Sequence, residues 1–259
     1  MKTDKNTMID LRQGDCLELM KDIPDKSVDM ILCDLPYGTT ACKWDNVIPF
    51  EPLWEQYNRI IKDNGAIVLF GSEPFSSKLR LSNLKMYRYD WYWNKNSSGN
   101  FLCGSYMPLK IIENIIVFSK NKSNYYPIKT ISNKDRTKEK PNIKNSDMFS
   151  GIKSGVFYKT EKNKKGNERY PKNLLSYSTQ SSECSNSKRK HPTQKPVALL
   201  EYLIKTYTNE NEIVLDNCMG SGSTGVACIN TNRNFIGIEL DSNYFNIAKE
   251  RIENAQRQK

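Results

Sequence analysis

Ile213-Val214-Leu215-Asp216-Asn217-Cys218-Met219-Gly220-Ser221-Gly222-Ser223-Thr224 is the stretch that decides the fold. A short apolar run bounded by turn residues reads as a buried strand. Two glycines then let the backbone turn tightly, and Gly222–Asn230 reads as a helix whose first N–H groups face whatever the turn holds. A second strand is expected at Asn234–Ile238, and an acid, Glu239, ends it about 20 residues after the turn. In nucleoside and dinucleotide sites an acid at that place accepts hydrogen bonds from ribose hydroxyls, so the spacing points to an adenosine-containing ligand. The third glycine is displaced to Gly225 and such loops serve many nucleotides, so a strand–helix turn without a ligand stays open at this point.

Val28-Asp29-Met30-Ile31-Leu32-Cys33 repeats the buried-strand pattern and delivers Asp34-Leu35-Pro36-Tyr37 to its carboxyl end. In an open α/β sheet ligands sit just beyond such ends, so the two motifs are expected to meet in one crevice. The second motif suits an exocyclic amine. Conjugation to an aromatic base delocalises the amine's lone pair, which therefore attacks a methyl sulfonium poorly. The Asp34 carboxylate and the Pro36 main-chain carbonyl can each accept one N–H, turning the nitrogen toward sp³, and a fixed carboxylate stabilises the positive charge that develops. The Tyr37 ring would stack on the base, which has to be single-stranded or flipped out of a duplex. A β-turn with a core tyrosine is the other reading of these four residues alone.

Residues 8–119 alternate short apolar runs with helix-like stretches, the pattern of a mostly parallel sheet covered by helices. Strands are expected at Ile9–Leu11, Val28–Cys33, Ala66–Phe70, Tyr87–Trp93 and Ile111–Phe118. Helices are expected at Cys16–Lys21, Pro74–Ser82 and Glu51–Lys62, the last closed by Asn64-Gly65 in a C-cap pattern. Alternation puts Tyr87, Tyr89, Trp91 and Trp93 on one face, as core packing or as a wall of a base pocket. From Ser119 to Lys190 the periodicity collapses into Lys, Asn and Ser with scattered aromatics: Tyr125, Tyr126, Phe149, Phe157, Tyr158 and Tyr170. That is too long for an ordinary loop and reads as a small recognition domain or a partly disordered arm. Regular pattern returns with helices at Val197–Thr206 and Tyr244–Ala255. The expected division is 1–119 and 191–259 as two halves of one α/β domain, with 120–190 inserted between them.

The charge is equally uneven. Of a net +10, residues 120–190 hold 18 Lys and Arg against 6 Asp and Glu, whereas the remainder holds 21 against 23. A basic block on an otherwise neutral chain is the footprint of a phosphate-backbone binder or a solvated lysine-rich surface. At 259 residues and 37% hydrophobic content the chain can bury a real core. No run approaches the roughly 18 apolar residues of a membrane span, and Met1–Lys5 leads into no signal-peptide core, so a soluble, intracellular protein is expected. The cysteines (Cys16, Cys33, Cys42, Cys103, Cys184, Cys218, Cys228) form no Cys-x-x-Cys pair and read as reduced thiols without zinc. His191, the only histidine, stands in a proline-rich turn, which argues against His-centred hydrolysis and zinc chemistry.

On these residues the chain resembles the β-class amino-methyltransferases of DNA, a permuted group that includes many bacterial and phage adenine-N6 enzymes. The family places Asp-Pro-Pro-Tyr first, then a recognition region, a His-Pro-x-Gln-Lys-Pro segment, and last a Gly-x-Gly cofactor motif. Here Asp34–Tyr37, the basic insert, His191-Pro192-Thr193-Gln194-Lys195-Pro196 and Asn217–Thr224 stand in that order, and the match covers about 8–119 and 190–256. The resemblance implies a Rossmann-like α/β domain with a permuted, seven-stranded, mostly parallel sheet and one antiparallel strand near its edge. It implies S-adenosylmethionine as cofactor, no metal, and site-specific methyl transfer to adenine N6 in DNA.

Carried over residue by residue, the resemblance makes Asp34, Pro36 and Tyr37 catalytic. It puts Asp216, Met219, Gly220, Ser221, Gly222 and Thr224 around the methionine part of the cofactor, with Asp34 beside them. Glu239 would take the ribose, Asp15 and Cys16 would lie near the adenine, and Lys195 near the cofactor carboxylate. Leu35 stands where Pro is commoner and should be tolerated, since only the third residue's carbonyl and the fourth's ring are needed; Asn217 replaces the usual Pro of the cofactor motif. Asp at position 34 favours adenine-N6 in this family, Ser being more typical of cytosine-N4, and the absence of a Pro-Cys dipeptide sets cytosine-C5 chemistry aside. The rivals are a DNA cytosine-N4 methyltransferase and a catalytically silent nucleic-acid-binding module of the same fold. A nicotinamide dehydrogenase fits the glycines but explains neither Asp34–Tyr37 nor the insert. DNA as partner, a homodimer, a cognate restriction endonuclease and a cytoplasmic, bacterial or phage setting complete what the resemblance implies.

Overall fold

Strand β2 (Val28–Cys33) is buried along its whole length and feeds two cores. Side chains alternate across a strand, so Met30 and Leu32 enter one core while Ile31 and Cys33 enter the other, and a register shift between Val28 and Met30 puts Val28 with the second pair. Helices α4 (Val197–Tyr207), α5 (Ser223–Asn230) and α6 (Ser242–Arg257) cover the first core. Helices α1 (Cys16–Leu19), α2 (Phe50–Ile60) and α3 (Phe75–Ser82) cover the second. The result is a three-layer α/β/α sandwich with the sheet in the middle. The computed structural model describes residues 7–38, 46–98, 100–132, 167–179 and 194–259. Cys42, Phe149, Phe157, Tyr158, Cys184 and His191 lie outside the described residues.

The sheet runs β1 (Ile9–Gln13), β10 (Asn234–Glu239), β9 (Ile213–Asp216), β2, β3 (Ile61–Gly71), β5 (Ile112–Phe118), β4 (Tyr87–Asn94), β8 (Leu174–Ser176). The first five are parallel, β5 is antiparallel to both neighbours, and β8 lies parallel to β4. Seven strands were expected; the eighth is β8, whose Leu175 is buried in the first core. Asp29, a carboxylate inside an apolar strand, is satisfied by Lys62 Nζ at 2.6 Å and by the Ile213 N–H at 2.9 Å, tying β2 to the start of β9.

Three local expectations are corrected. Helix α2 ends at Ile60 without a glycine cap, because Ile61 is already extended (φ −74°, ψ 136°) and pairs with Val28. Gly65 instead lies within β3, where an added Cβ would come within 2.9 Å of the Asp29 carbonyl oxygen, so close approach of the two strands requires glycine there. The aromatic run of β4 does not share one face: a bulge between Tyr87 and Tyr89 sends Tyr87 to the second core, while Trp91 and Trp93 fill the first. These tryptophans are core residues with satisfied N–H groups, Trp91 donating to the Tyr207 hydroxyl at 2.7 Å and Trp93 to the Tyr177 carbonyl at 2.8 Å. The Cys16–Lys21 helix is shorter than expected, ending at Leu19 and passing into a 3₁₀ turn at Met20–Asp22.

The chain divides into two compact units, one comprising residues up to Tyr126 together with Asn173–Lys259, the other Pro127–Lys172. Tyr125 and Tyr126 thus belong to the larger unit, where the Tyr125 ring lies 6.2 Å from that of Tyr207 and the Tyr126 N–H donates to the Thr206 carbonyl at 2.7 Å. In the smaller unit the two-stranded antiparallel ribbon β6 (Thr130–Ile131) and β7 (Glu168–Arg169) is described, with Lys129 paired to Glu168 at 3.0 Å and placed over the Tyr170 ring. No described helix is long and apolar enough to cross a membrane.

Candidate active site

Neighbouring strands β10, β9 and β2 bring three acids to one edge of the sheet: Glu239 and Asp216 end their strands, and Asp34 follows β2 directly. Because β5 is antiparallel, its first residues lie at this same edge, and Glu113 joins the group. Asp34 is held on both oxygens. Oδ1 accepts the Tyr37 hydroxyl at 2.6 Å and Oδ2 accepts the Lys195 ammonium at 2.5 Å. Glu113 Oε1 stands 3.1 Å from Lys195 Nζ and 3.2 Å from the Tyr37 hydroxyl, while Lys95 lies 3.5 Å from Glu113 Oε2. Side-chain exposure is 9% for Lys195, 10% for Glu113 and 22% for Asp34, so Asp34 is the most exposed of these three. One face of Tyr37 is stacked on Phe75, 4.9 Å between centroids, and the Lys195 ammonium sits 5.1 Å above the Phe70 ring.

These contacts set the protonation states. Burial pushes the Asp34 carboxyl up and Glu113 adds to it, against the pull of Lys195. Burial acts on Glu113 in the same sense, but Lys195 and Lys95 hold it below the usual carboxylate range. Burial works against the Lys195 ammonium, yet Asp34 and Glu113 raise it above the usual lysine range and keep it charged at neutral pH. The Tyr37 phenol is raised by burial and by both carboxylates, which makes it a hydrogen-bond donor. Leu35 is buried in the second core.

The glycine turn is built by its own side chains. The buried Thr224 donates to the buried Asp216 Oδ2 at 2.6 Å and the Cys218 N–H to Oδ1 at 3.1 Å, and burial pushes the Asp216 carboxyl up to about 7. Glu239 is aimed by the main chain: Gly220 N–H donates to Oε2 at 2.8 Å and Asp241 N–H to Oε1 at 2.9 Å. Gly220 and Gly222 are both left-handed (φ 52° and 78°). Arg251 donates to the Ser221 carbonyl at 2.6 Å and to its hydroxyl at 2.9 Å, pinning the turn to α6, and Met219 is buried against Gly237. Asn217, where the family has proline, accepts the Tyr57 hydroxyl at 2.6 Å within the protein. Asp15 caps α1 by accepting from the Leu17 and Glu18 N–H groups, and the buried Cys16 thiol is raised by its hydrogen bond to Cys218 and by burial.

A family model described as DNA methylase matches residues 28–250. The chain belongs to the N6/N4 DNA methylase family. This methylase is similar to the type II methyltransferase M.HpaI of Haemophilus parainfluenzae, 29% identical over 252 residues that span 93% of this chain and 73% of the relative. It is similar also to the DNA adenine methyltransferase YhdJ of Escherichia coli (strain K12), 28% identical over 258 residues, 93% of this chain and 81% of that one. Among solved structures it resembles M1.HpyAVI in complex with S-adenosylmethionine, with a TM-score of 0.63 and 29% identity over 95% of this chain and 99% of the other. The methylase is an S-adenosylmethionine-dependent DNA methyltransferase with a mostly parallel central sheet.

In the methylase the expected Asp34, Tyr37 and Lys195 come together, and the Gly220 N–H bonds Glu239 at the end of the strand beside β9. Lys195 was expected near a cofactor carboxylate; its ammonium lies on Asp34 and Glu113. Glu113 and Lys95 escaped the sequence reading. The available signal was a lone acid inside the apolar run Ile111-Ile112-Glu113-Asn114-Ile115-Ile116, since a buried carboxylate needs a partner. Gly222 makes a direct test of the turn. An added Cβ would lie 2.9 Å from Ala248 Cβ and 3.0 Å from its Cα at a φ of +78°. Gly222→Ala is therefore expected to cost roughly 1–3 kcal/mol through strain alone, read as a lowered midpoint in thermal denaturation.

Proposed function

We propose that this methylase transfers a methyl group from S-adenosylmethionine to the N6 amine of adenine in DNA, with Asp34, Pro36 and Tyr37 as its catalytic residues. The observation that carries the reading is the Asp34 carboxylate, fixed on both oxygens at the end of β2, beside the glycine turn that follows the adjoining strand β9. The residues present fit the cofactor: Glu239 is oriented by two main-chain N–H groups to accept ribose hydroxyls, and left-handed glycines keep Cβ atoms out of the turn. Met219, Gly220, Ser221 and Gly222 would line its methionine part, with Asp216 and Thr224 acting by holding the turn's shape. Asp15 and Cys16, just past β1, would border the adenine. S-adenosylmethionine supplies an electrophilic methyl group on a sulfonium.

The chain's own residues do the rest. Asp34 and the Pro36 carbonyl accept the two amine hydrogens and orient the nitrogen lone pair, and the Asp34 charge stabilises the cation as it forms. The exposed side of Tyr37 takes the flipped base while Phe75 backs the ring. The methylated nitrogen then loses one proton, for which Asp34 is the nearest base. Aspartate at position 34 and the similarity to a named adenine methyltransferase support adenine over cytosine-N4. The basic segment 120–190, which contains the Pro127–Lys172 unit, would recognise the target by tracking phosphates with its lysines. The type II names of relatives support a partner endonuclease, and a homodimer would suit a two-fold symmetric site. Incubation with labelled S-adenosylmethionine and mixed-sequence duplex DNA, then digestion to nucleosides, tests the reading. N6-methyladenine is expected; N4-methylcytosine would move the enzyme to the sister specificity, and cofactor binding with no methylated product would favour the silent module.

A further inference from the structure

We propose that Glu113 is a positioning residue: it is the alternate seat for the two donors that occupy Asp34, receiving Lys195 and the Tyr37 hydroxyl as the substrate amine arrives, and so frees Asp34 to act as acceptor. The inference rests on the proposed role of Asp34 and assigns Glu113 a part in the same reaction. Both donors already lie within reach of both carboxylates. The Tyr37 hydroxyl is 2.6 Å from Asp34 and 3.2 Å from Glu113; the Lys195 ammonium is 2.5 Å from Asp34 and 3.1 Å from Glu113. Both donors are thus already shared, and each exchange needs only a shift on the order of half an ångström, from the longer to the shorter of its two bonds.

Rigidity and charge favour the exchange. Glu113 is buried on β5 and its second oxygen faces Lys95, whereas Asp34 stands on the loop beyond β2. Two ammonium groups stand against two carboxylates, so the cluster is balanced overall; in the exchanged arrangement both ammoniums stand on Glu113, and the developing cation becomes the counter-charge of Asp34. As the amine nitrogen turns cationic, its charge repels Lys195 and drives it to the more distant carboxylate. Without that seat Lys195 would stay on Asp34 and cancel the charge the developing cation needs.

The test is Glu113→Gln, followed by kcat, KM and their pH dependence on DNA. Glutamine keeps the size and one acceptor but offers Lys195 no charge. The groups facing Glu113 are Lys95 after β4, Lys195 before α4, and Asp34 and Tyr37 after β2; Asp216 at the end of β9 is the next acid beside Asp34. The expected result is a kcat lowered about ten- to hundredfold through misplacement of Asp34's partners, with KM for S-adenosylmethionine little changed. The acid limb should move to lower pH, because the negative charge that raises the Asp34 carboxyl is gone. Glu113→Asp keeps the charge but shortens the reach, so its acid limb should stay at the wild-type pH while kcat falls several-fold. The aspartate variant also serves if glutamine prevents folding. Wild-type kcat in the folded variants, or a glutamine variant whose acid limb does not move, would overturn the inference. A wild-type protein that methylates no DNA amine would instead overturn the reading on which it rests.

Discussion

Asp34→Asn is expected to lower the rate of methyl transfer by about 10²–10³-fold while leaving S-adenosylmethionine affinity within about tenfold. Asparagine has nearly the same shape, and one amide oxygen can still accept the Tyr37 hydroxyl that now sits 2.6 Å away. What it lacks is charge. A neutral amide does not stabilise an amine nitrogen that becomes cationic, and its NH₂ group is a donor where a second acceptor is needed. The fold should survive, because Lys195 keeps Glu113 at 3.1 Å as a partner. Single-turnover transfer from labelled cofactor, beside calorimetric binding of the same cofactor, separates the two effects. Transfer retained within tenfold would remove Asp34 from the chemistry and return the Asp34–Tyr37 segment to a structural turn.

The sandwich was legible because β2 and the glycine turn carry their pattern locally. A fully apolar strand followed by Asp34, and a short strand followed by Gly220 and Gly222, each announce a parallel strand and what lies at its carboxyl end. The misplacements share another cause. Ile61 left the helix because pairing with Val28 across the sheet outweighed local helix preference, and Tyr87 changed face because of one bulge. Neither leaves a mark in its own neighbourhood of the sequence. Within the site, Asp34, Tyr37 and Lys195 were legible as motif residues, but their mutual contacts were not. Glu113 was hidden by topology: only an antiparallel β5 brings the start of one strand to the ends of the others, and strand direction is not written in the alternation of Ile112–Phe118.

Lys195→Met is expected to be the most destabilising single change at the site. The lysine side chain is 9% exposed, and methionine has a similar unbranched bulk to fill the space. The ammonium is what disappears. Glu113 is then left buried with Lys95 at 3.5 Å as its cation and Asp34 as a like-charged neighbour, a loss of roughly 3–5 kcal/mol for breaking a buried ion pair on one side. The sign of the pH dependence follows. In the wild type Lys195 and Lys95 hold the Glu113 carboxyl low, so its contribution to stability is present above the unfolded carboxylate pKa of about 4 and is lost on acidification. In the variant the folded carboxyls rise above that value, so the variant gains relative stability as they protonate and loses it as the pH rises through their folded pKa. Melting temperatures measured from pH 4 to 8 should therefore converge at the acid end and stand furthest apart near neutrality. A constant gap across that range would assign the loss to the contact of the ammonium with the Phe70 ring rather than to the carboxylates. Adding Glu113→Gln to Lys195→Met should restore part of the lost stability at neutral pH, because the cost lies in the carboxylate left without its cation and not in the missing lysine.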